Sequence, residues 1–152
     1  MIQLATESDI QYLIEFRQLL FKSMGFSEDI IQGMLPYFTN YFEEHLKDGT
    51  YKSWLVTRDG KFVATGGMVV DQHPPSPSNK SGKIAYIMSM YTMPEYRNKG
   101  IAKQILESMI EYARDQGITT LSLHTTDMAR PLYAELGFKP SNEMVKKLKI
   151  GA

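Results

Sequence analysis

The stretch from residue 84 to residue 116 constrains the fold of this 152-residue chain more than any other part of it. It opens with an unbroken apolar run, Ile84 to Tyr91, which predicts a β-strand buried on both faces. Pro94 cannot donate to a sheet ladder and predicts a turn. Apolar residues then recur at helical spacing from Ile101 to Ala113, and Gly117 predicts a left-handed cap. The stretch therefore predicts a strand, a short turn and a helix in succession.

The turn between this strand and helix reads Arg97-Asn98-Lys99-Gly100-Ile101-Ala102. The first N–H groups of a helix have no intrahelical partner and lie at the positive end of its dipole. Gly100 and Ala102 leave room at the backbone, while Arg97 and Lys99 add positive charge, so the turn suits a diphosphate. Glycine and basic residues also open many helices that bind nothing. The patterns G-x-G-x-x-G and G-x-x-x-x-G-K-[ST] are both absent from this turn.

Two motifs in this chain resemble those of one enzyme family. Arg97-x-x-Gly100-x-Ala102, after such a strand, resembles the (Gln/Arg)-x-x-Gly-x-(Gly/Ala) signature of the GCN5-related N-acetyltransferases. Pro131 to Phe138 resembles that family's closing helix and its Tyr-x-x-x-Gly-Phe ending. Two signatures in the right order are more specific than either alone, and the resemblance covers residues 51–148. It implies an α/β fold in which a mixed, mostly antiparallel central sheet splays between two middle strands, flanked by about four helices.

The resemblance also implies a cofactor, acetyl-CoA, and the residues that hold it. The diphosphate would lie on main-chain N–H groups of the turn, the pantetheine arm would pair with the end of the strand, and a strand N–H near Met90 or Tyr91 would hold the oxyanion. Tyr133 matches the family's catalytic tyrosine, which protonates the departing thiolate. Because an ordinary tyrosine is a weaker acid than a thiol, we expect Tyr133 to act mainly by donating a hydrogen bond to the developing thiolate. The implied cofactor-binding residues are Met90, Tyr91, Thr92, Arg97, Asn98, Lys99, Gly100, Ile101, Ala102 and Lys103.

An acceptor amine must lose a proton before it attacks, and the sequence offers several proton acceptors without deciding between them. Position along the chain suggests Ser89 on the central strand, Asp71 and His73 after the preceding strand, and Asp127 before the last helix. The glutamate that relatives often carry on the central strand has no counterpart between Tyr86 and Tyr91. The general base therefore stays unassigned.

Composition narrows the function classes. Lys plus Arg and Asp plus Glu both number 17, which does not favour a nucleic-acid partner. The chain has no cysteine, and its histidines lack metal-ligand spacing, so we expect no disulfide and no metal site. No apolar run approaches a membrane span, and the polar residues Thr6 to Asp9 follow close after Leu4, which predicts a cytoplasmic protein with no signal peptide and no membrane partner.

The N-terminal third predicts helices rich in aromatic residues. The capping box Thr6 to Asp9 precedes a helix, one face of which carries Ile10, Leu13, Ile14, Arg17, Leu20, Phe21 and Met24. A short helix over Ile30 to Met34 and a separate one beginning at Pro36 follow. The aromatic residues predict a helical layer over the sheet, the wall of an acceptor groove, or the interface of a homodimer.

The remaining segments predict the rest of the sheet in one domain, residues 1–152. Strand composition marks residues 50–57 and 62–70, joined by an Asp59-Gly60 hairpin turn, and residues 118–124. Gly66-Gly67 predicts a bulge or a close backbone approach. The Pro-rich segment 71–82 is either a rim of the active cleft or a surface loop. Glu143 to Ile150 predicts a last strand.

Three function classes remain at this stage. The leading one is an N-acetyltransferase that moves an acetyl group from acetyl-CoA to a primary amine of a small molecule or peptide, by direct attack in a ternary complex. The second is a non-catalytic acyl-CoA-binding or sensor protein of the same fold. The third is a nucleotide-phosphate enzyme whose anion site only mimics the signature.

Overall fold

The computed structural model describes residues 1–149 and contains five strands and four α-helices. In chain order these are β1 (Ile2–Leu4), α1 (Ile10–Ser23), α2 (Glu28–Asp48), β2 (Tyr51–Arg58), β3 (Lys61–Gln72), β4 (Lys83–Thr92), α3 (Ile101–Asp115), β5 (Thr120–Leu123) and α4 (Arg130–Glu135). Two 3₁₀ turns, Glu7–Asp9 and Pro94–Tyr96, precede α1 and α3.

The strands form one sheet in the order β1-β2-β3-β4-β5, which confirms the mixed, mostly antiparallel sheet. Neighbouring strands are antiparallel except β4 and β5, which are parallel because α3 carries the chain back across the sheet. The predicted hairpin turn joins β2 to β3. Its residues Asp59 and Gly60 have φ angles of +53° and +75°, as a two-residue turn with the twist of a β-hairpin requires.

Helices cover both faces of the sheet, so the core has two halves. On one face α3 contributes Ile105, Leu106 and Met109, all fully buried. On the other face α1 and α2 contribute Phe16 and Phe42, which pack in one cluster with residues of β2. The exposed aromatic residue Tyr37 lies outside this cluster, with 68% of its surface accessible. The predicted helical layer over the sheet is therefore present.

β4 and β5 separate part of the way along β4, which is the predicted splay. They pair only from Ile84–Thr120 to Ile87–Leu123, while β4 runs on to Thr92 beside β3. The prediction that the run from Ile84 to Tyr91 is buried on both faces is wrong. Where β5 is the neighbour, Ala85 and Ile87 are buried but Ile84 and Tyr86 are half-buried, so only one face of β4 is covered completely. Beyond the end of β5, every residue from Met88 to Thr92 is half-buried.

A bulge bends β4 where the two strands separate. Thr65 pairs with Tyr91 and Gly67 with Met88, so the single residue between them faces both Ser89 and Met90. Ser89 has a φ of +57°, in the left-handed region that costs a non-glycine residue about 1 kcal/mol or more. The predicted close approach at the two glycines is confirmed. A Cβ on Gly66 would lie 2.6 Å from Met90 Sδ, and one on Gly67 would overlap the Tyr51 hydroxyl.

The prediction of two helices between residues 30 and 46 is wrong, because α2 is continuous from Glu28 to Asp48 and contains Pro36. A proline in a helix interior removes one hydrogen bond and usually costs about 3 kcal/mol. Here Ile31 on one side of the proline and Phe38 and Phe42 on the other are all buried. The helix keeps its course because all three side chains must reach the interior of the fold.

The predicted last strand is also wrong over the residues that the structure describes, since residues 143–149 form no strand; Ile150 lies outside them. Met144 and Leu148 are 96% and 75% exposed, so their apolar alternation does not face a sheet. The Pro-rich loop, residues 73–82, joins the ends of β3 and β4 that lie farthest from Thr92. It is a surface loop with an internal Ser76–Asn79 bridge rather than a rim of the cleft described below.

The close contact at Gly67 predicts an asymmetry between two glycine substitutions. Gly67→Ala forces the buried Tyr51 ring to move, and we expect it to lower the free energy of unfolding by about 1–3 kcal/mol. Gly33→Ala is the matched control: Gly33 lies inside α2 with open space around it, so the change should raise stability by about 1 kcal/mol. Urea denaturation measures both, and equal effects on the two variants would contradict the packing described here.

Candidate active site

A cleft of about 540 Å³ opens where β4 leaves β5. Four parts of the chain wall it: the end of α1, the second half of β4, the turn into α3, and the segment from the end of β5 into α4. Its lining residues are Leu20, Ser23, Ile87, Met88, Ser89, Met90, Tyr91, Thr92, Arg97, Asn98, Ala102, His124, Thr125, Thr126, Ala129, Leu132 and Tyr133.

The turn into α3 presents free main-chain N–H groups, as its composition predicts. Asn98 and Gly100 have φ angles of +62° and +79°, and Gly100 is the N-cap of α3. The first helical hydrogen bond, from Gln104 N–H to the Gly100 carbonyl at 3.1 Å, leaves the preceding N–H groups without helical partners. Apart from its neighbours along the chain, no atom of residues 1–149 lies within 4 Å of the position that a Cβ on Gly100 would take. The turn is therefore open to an anion.

Arg97 is held against the end of β4. Its Nε donates to the Thr92 carbonyl at 2.8 Å, and its guanidinium lies 5.3 Å from the centroid of the Tyr91 ring. These contacts fix a positive charge at the mouth of the cleft, next to the free N–H groups of the turn. The arrangement supplies both main-chain donors and a cation for a negatively charged group.

The two lysines of the turn differ in what they can offer. Lys99 Nζ lies 5.5 Å from the Tyr96 ring centroid and does not line the cleft. Lys103 Nζ is 2.8 Å from Glu135 Oε1, and this carboxylate raises the pKa of Lys103. Because its charge is paired with α4, Lys103 can contribute its main-chain N–H but not an uncompensated charge.

Tyr133 reaches the cleft from α4. Its ring packs edge-on against Phe138 with centroids 5.8 Å apart, and the Phe138 N–H donates to the Tyr133 carbonyl at 3.0 Å. Gly137, with a φ of +94°, makes this reversal of the chain possible. Burial raises the pKa of Tyr133, so its hydroxyl keeps its proton at neutral pH.

The structure brings most of the predicted site residues to one cleft. Lining it are Met90, Tyr91, Thr92, Arg97, Asn98, Ala102 and Tyr133. Lys99, Gly100, Ile101 and Lys103 lie beside it on the turn and do not line it. The Ile101 side chain is 4% exposed and packs in the core, so only its main chain is available to a ligand.

Of the proton acceptors suggested by the sequence, only Ser89 lines the cleft. Asp71 and His73 lie toward the far end of the β3–β4 hairpin. Asp127 is fully exposed, 3.5 Å from Arg130. Ser89 Oγ accepts a hydrogen bond from Arg17 Nη1 at 2.6 Å, which makes the hydroxyl a poor base.

Sequence reasoning missed two residues of this region. His124 lines the cleft, with Nδ1 3.3 Å from the Tyr86 hydroxyl. Arg17 lies behind Ser89, and its signal was a charged residue on the otherwise apolar face of the first helix.

Residues 1–149 contain neither a candidate metal site nor a candidate membrane-spanning helix. No group of three or more His, Asp and Glu side chains in this part of the chain is arranged to hold a metal ion. Within the same residues, none of the helices combines the length and apolar character needed to span a bilayer.

Comparison with known proteins identifies the family. The sequence model of the Acetyltransferase (GNAT) family matches residues 14–138, and the chain belongs to that family.

Individual relatives agree with this assignment. The chain is 29% identical over 113 residues to the uncharacterised N-acetyltransferase YycN of Bacillus subtilis, covering 72% of this chain and 69% of that protein. It is 28% identical over 104 residues to N-acetyltransferase 8B of Rattus norvegicus, covering 66% of this chain. The aligned part spans only 45% of that rat protein.

Solved structures of similar fold include two bacterial proteins. A predicted acetyltransferase of Clostridium acetobutylicum, crystallised with acetyl-CoA, has a TM-score of 0.86 at 27% identity, covering 97% of this chain and 95% of that one. A GCN5-related N-acetyltransferase of Ralstonia eutropha has a TM-score of 0.86 at 28% identity and covers 97% of both chains. The predicted fold class is confirmed.

The burial of Tyr133 predicts how its hydroxyl titrates. A tyrosine in water ionises near pH 10, and since burial raises the pKa of Tyr133, its ionisation should occur above that value. The difference in tyrosinate absorbance between wild type and Tyr133→Phe isolates this group, with tyrosine amide in the same buffer as reference. A difference that appears at or below the pH of the reference transition would contradict the burial.

Proposed function

We propose that this protein is an acetyl-CoA-dependent N-acetyltransferase that acetylates a primary amine of a small molecule or peptide by direct attack in a ternary complex. One observation carries the proposal: a single cleft joins an open amide turn, a strand edge freed by the splay, and the half-buried side chain of Tyr133. Family membership and the acetyl-CoA bound to the Clostridium acetobutylicum neighbour support the same cofactor for this chain.

The residues of the cleft fit the parts of acetyl-CoA. The N–H groups of residues 98–103, with Arg97 beside them, suit the diphosphate. The main chain of residues 90–92, which has no β5 neighbour, suits the amide groups of the pantetheine arm, as in strand addition. When bound, acetyl-CoA supplies the activated acyl group. A main-chain N–H at Met90 or Tyr91 then stabilises negative charge on the acyl oxygen.

Tyr133 acts on the leaving thiolate as a hydrogen-bond donor. With ordinary pKa values of about 10 for tyrosine and 8.5 for a thiol, full proton transfer from Tyr133 is uphill by about 2 kcal/mol. Because burial raises the pKa of Tyr133, the transfer is still less favourable. A donated hydrogen bond stabilises developing charge without requiring that transfer.

The amine must enter in its neutral form. A lysine-like amine, with a pKa of about 10.4, is neutral in about one molecule in 2,500 at pH 7, which corresponds to about 4.6 kcal/mol. Among residues 1–149, no carboxylate lines the cleft to take this proton. That observation favours the second candidate, an acyl-CoA-binding or sensor protein without turnover. Calorimetric binding of acetyl-CoA with no thiol released by any amine would identify it.

The role of Tyr133 predicts a loss of turnover in Tyr133→Phe. We expect kcat to fall within about the 10²- to 10⁴-fold range of general-acid contributions, with little change in the affinity for CoA, because the hydroxyl acts on the reacting sulfur. Thiol release at saturating substrates measures kcat, and calorimetry measures CoA binding.

Tyr37→Phe is the matched control for that experiment. Tyr37 lies on α2, is 68% exposed and does not line the cleft, so the same chemical change there should leave kcat unaltered. Unchanged turnover in Tyr133→Phe would remove Tyr133 from the mechanism.

The diphosphate assignment predicts a charge effect at the start of α3. Ala102→Asp adds a carboxylate beside the turn, and we expect KM for acetyl-CoA to rise about tenfold or more by repulsion. Thermal stability should hold, because an acidic residue in the first turn favours the helix. Gln104→Glu adds the same charge outside the cleft and should leave KM near the wild-type value. Equal KM values for the two variants would count against a diphosphate at this turn.

A further inference from the structure

We propose that the acceptor carries a carboxylate in addition to its amine, and that Arg17, beside Ser89, binds this carboxylate. The proposal rests on the proposed function and names the substrate class of the same cleft. Arg17 is a cation that forms no ion pair with an acidic side chain of residues 1–149.

Arg17 is half-buried in an aromatic setting. Its guanidinium lies 4.9 Å from the centroid of the Phe21 ring and 5.4 Å from that of the Phe38 ring, and the two rings are stacked 5.8 Å apart. Cation–π contacts offset only part of the loss of hydration, and burial accordingly lowers the pKa of Arg17. A guanidinium nonetheless stays charged at neutral pH. The fold therefore holds a positive charge at a partly desolvated position, which costs folding free energy.

No acidic side chain of residues 1–149 neutralises this charge. The ion pairs in this part of the chain involve other residues. The ionisable groups whose charges affect the pKa of Arg17 are the phenols of Tyr41 and Tyr51. Burial raises the pKa of both phenols, so they are neutral and cannot supply a counter-charge.

The Arg17 guanidinium still has donors to offer. Nη1 donates to Ser89 Oγ at 2.6 Å, while Nε and Nη2 have no hydrogen-bond acceptor among residues 1–149. An arginine with two free donors in its planar fork matches a carboxylate, which can accept both. This geometry favours a carboxylate over a neutral acceptor group.

The carboxylate can approach Arg17 from the cleft. Ser89, which Arg17 contacts, lines the cleft, and so does Leu20, one turn after Arg17 on α1. Arg17 itself lines a cavity of only about 10 Å³ together with Ser89 and Tyr51, and it does not line the cleft. Because that cavity holds at most a single water molecule, a carboxylate can reach the guanidinium only beside Ser89 and Leu20, which line both spaces.

The backbone conformation of Ser89 also supports a carboxylate-binding position at Arg17. Ser89 is held at a φ of +57° on the β4 bulge, next to the N–H groups proposed to hold the acyl oxygen. An acceptor anchored at Arg17 therefore enters beside the reacting carbonyl rather than at the diphosphate end. Arg17 repels the protonated amine of an incoming acceptor, and a carboxylate on the same acceptor offsets this repulsion.

Matched acceptors test the proposal. Thiol release from acetyl-CoA is measured with free amino acids and with their carboxamides, and with short peptides having free or amidated C-termini. With wild type, kcat/KM for the acids should exceed that for the amides by roughly 10- to 100-fold, as loss of a charge-assisted contact implies. In Arg17→Gln the ratio of kcat/KM for the acids to kcat/KM for the amides should fall to about one. The value for the amides themselves should change less than about threefold.

Control variants separate recognition from folding. Arg58→Gln removes an arginine outside the cleft, whose guanidinium contacts Thr57 and Gln104, and should preserve the acid-to-amide ratio. Arg17→Lys keeps the charge without the fork and should give an intermediate ratio. CoA binding by calorimetry reports the folded state of each variant. If Arg17→Gln does not fold, the wild-type ratio and Arg17→Lys decide the question.

Each other outcome has a defined meaning. Wild type that acetylates the amides as well as the acids overturns the carboxylate proposal and leaves the proposed function intact. Equal losses for acids and amides in Arg17→Gln also overturn it, because Arg17 then serves only the packing of α1 on β4. Thiol release from neither set overturns this inference, and the proposed function is then decided separately by thiol release with amines that carry no carboxylate, such as polyamines.

Discussion

The separation of β4 from β5 after Ile87 is the constraint on which the rest of the site depends. A sheet interior normally pairs every backbone N–H and C=O, and a strand that loses its neighbour exposes donors and acceptors that need other partners. The bulge at Ser89, opposite Gly66, bends β4 away at this point. The cleft is therefore a consequence of sheet geometry, and an extended ligand with amide groups is the kind of molecule that fits its exposed strand edge.

The charges around the cleft follow a simple pattern. Arg97 is fixed beside the open turn, Arg17 is fixed behind Ser89, and no described carboxylate lines the space between them. Each arginine is held by a carbonyl or hydroxyl oxygen and by aromatic rings rather than by an ion pair with an acid. Cations that the protein itself leaves uncompensated are suited to ligands that bring negative charge. We propose a diphosphate as the ligand at the first position and an acceptor carboxylate at the second.

Local sequence signals predicted the turns and the helix cap correctly. They failed where contacts between residues far apart in the sequence determine the secondary structure. The Asp59-Gly60 turn and the Gly100 cap follow from backbone conformations that few residues accept. Pro36 predicted a helix boundary, but the apolar residues on both sides of it are buried together, and α2 runs through it. Residues 143–149 have strand composition, yet a strand forms only when a neighbour pairs with it.

The sequence by itself determined the family, the strand–turn–helix unit and the candidate residues on it, because these depend on spacing within a short stretch. Only the tertiary structure decided which of those residues share a cleft. It also showed that Lys103 forms an ion pair with Glu135. Arg17 is far from Ser89 along the chain, yet its guanidinium donates a hydrogen bond to the Ser89 hydroxyl. The physical reason is that charge compensation and burial depend on neighbours in space, and those neighbours are brought together by the sheet rather than by the order of residues.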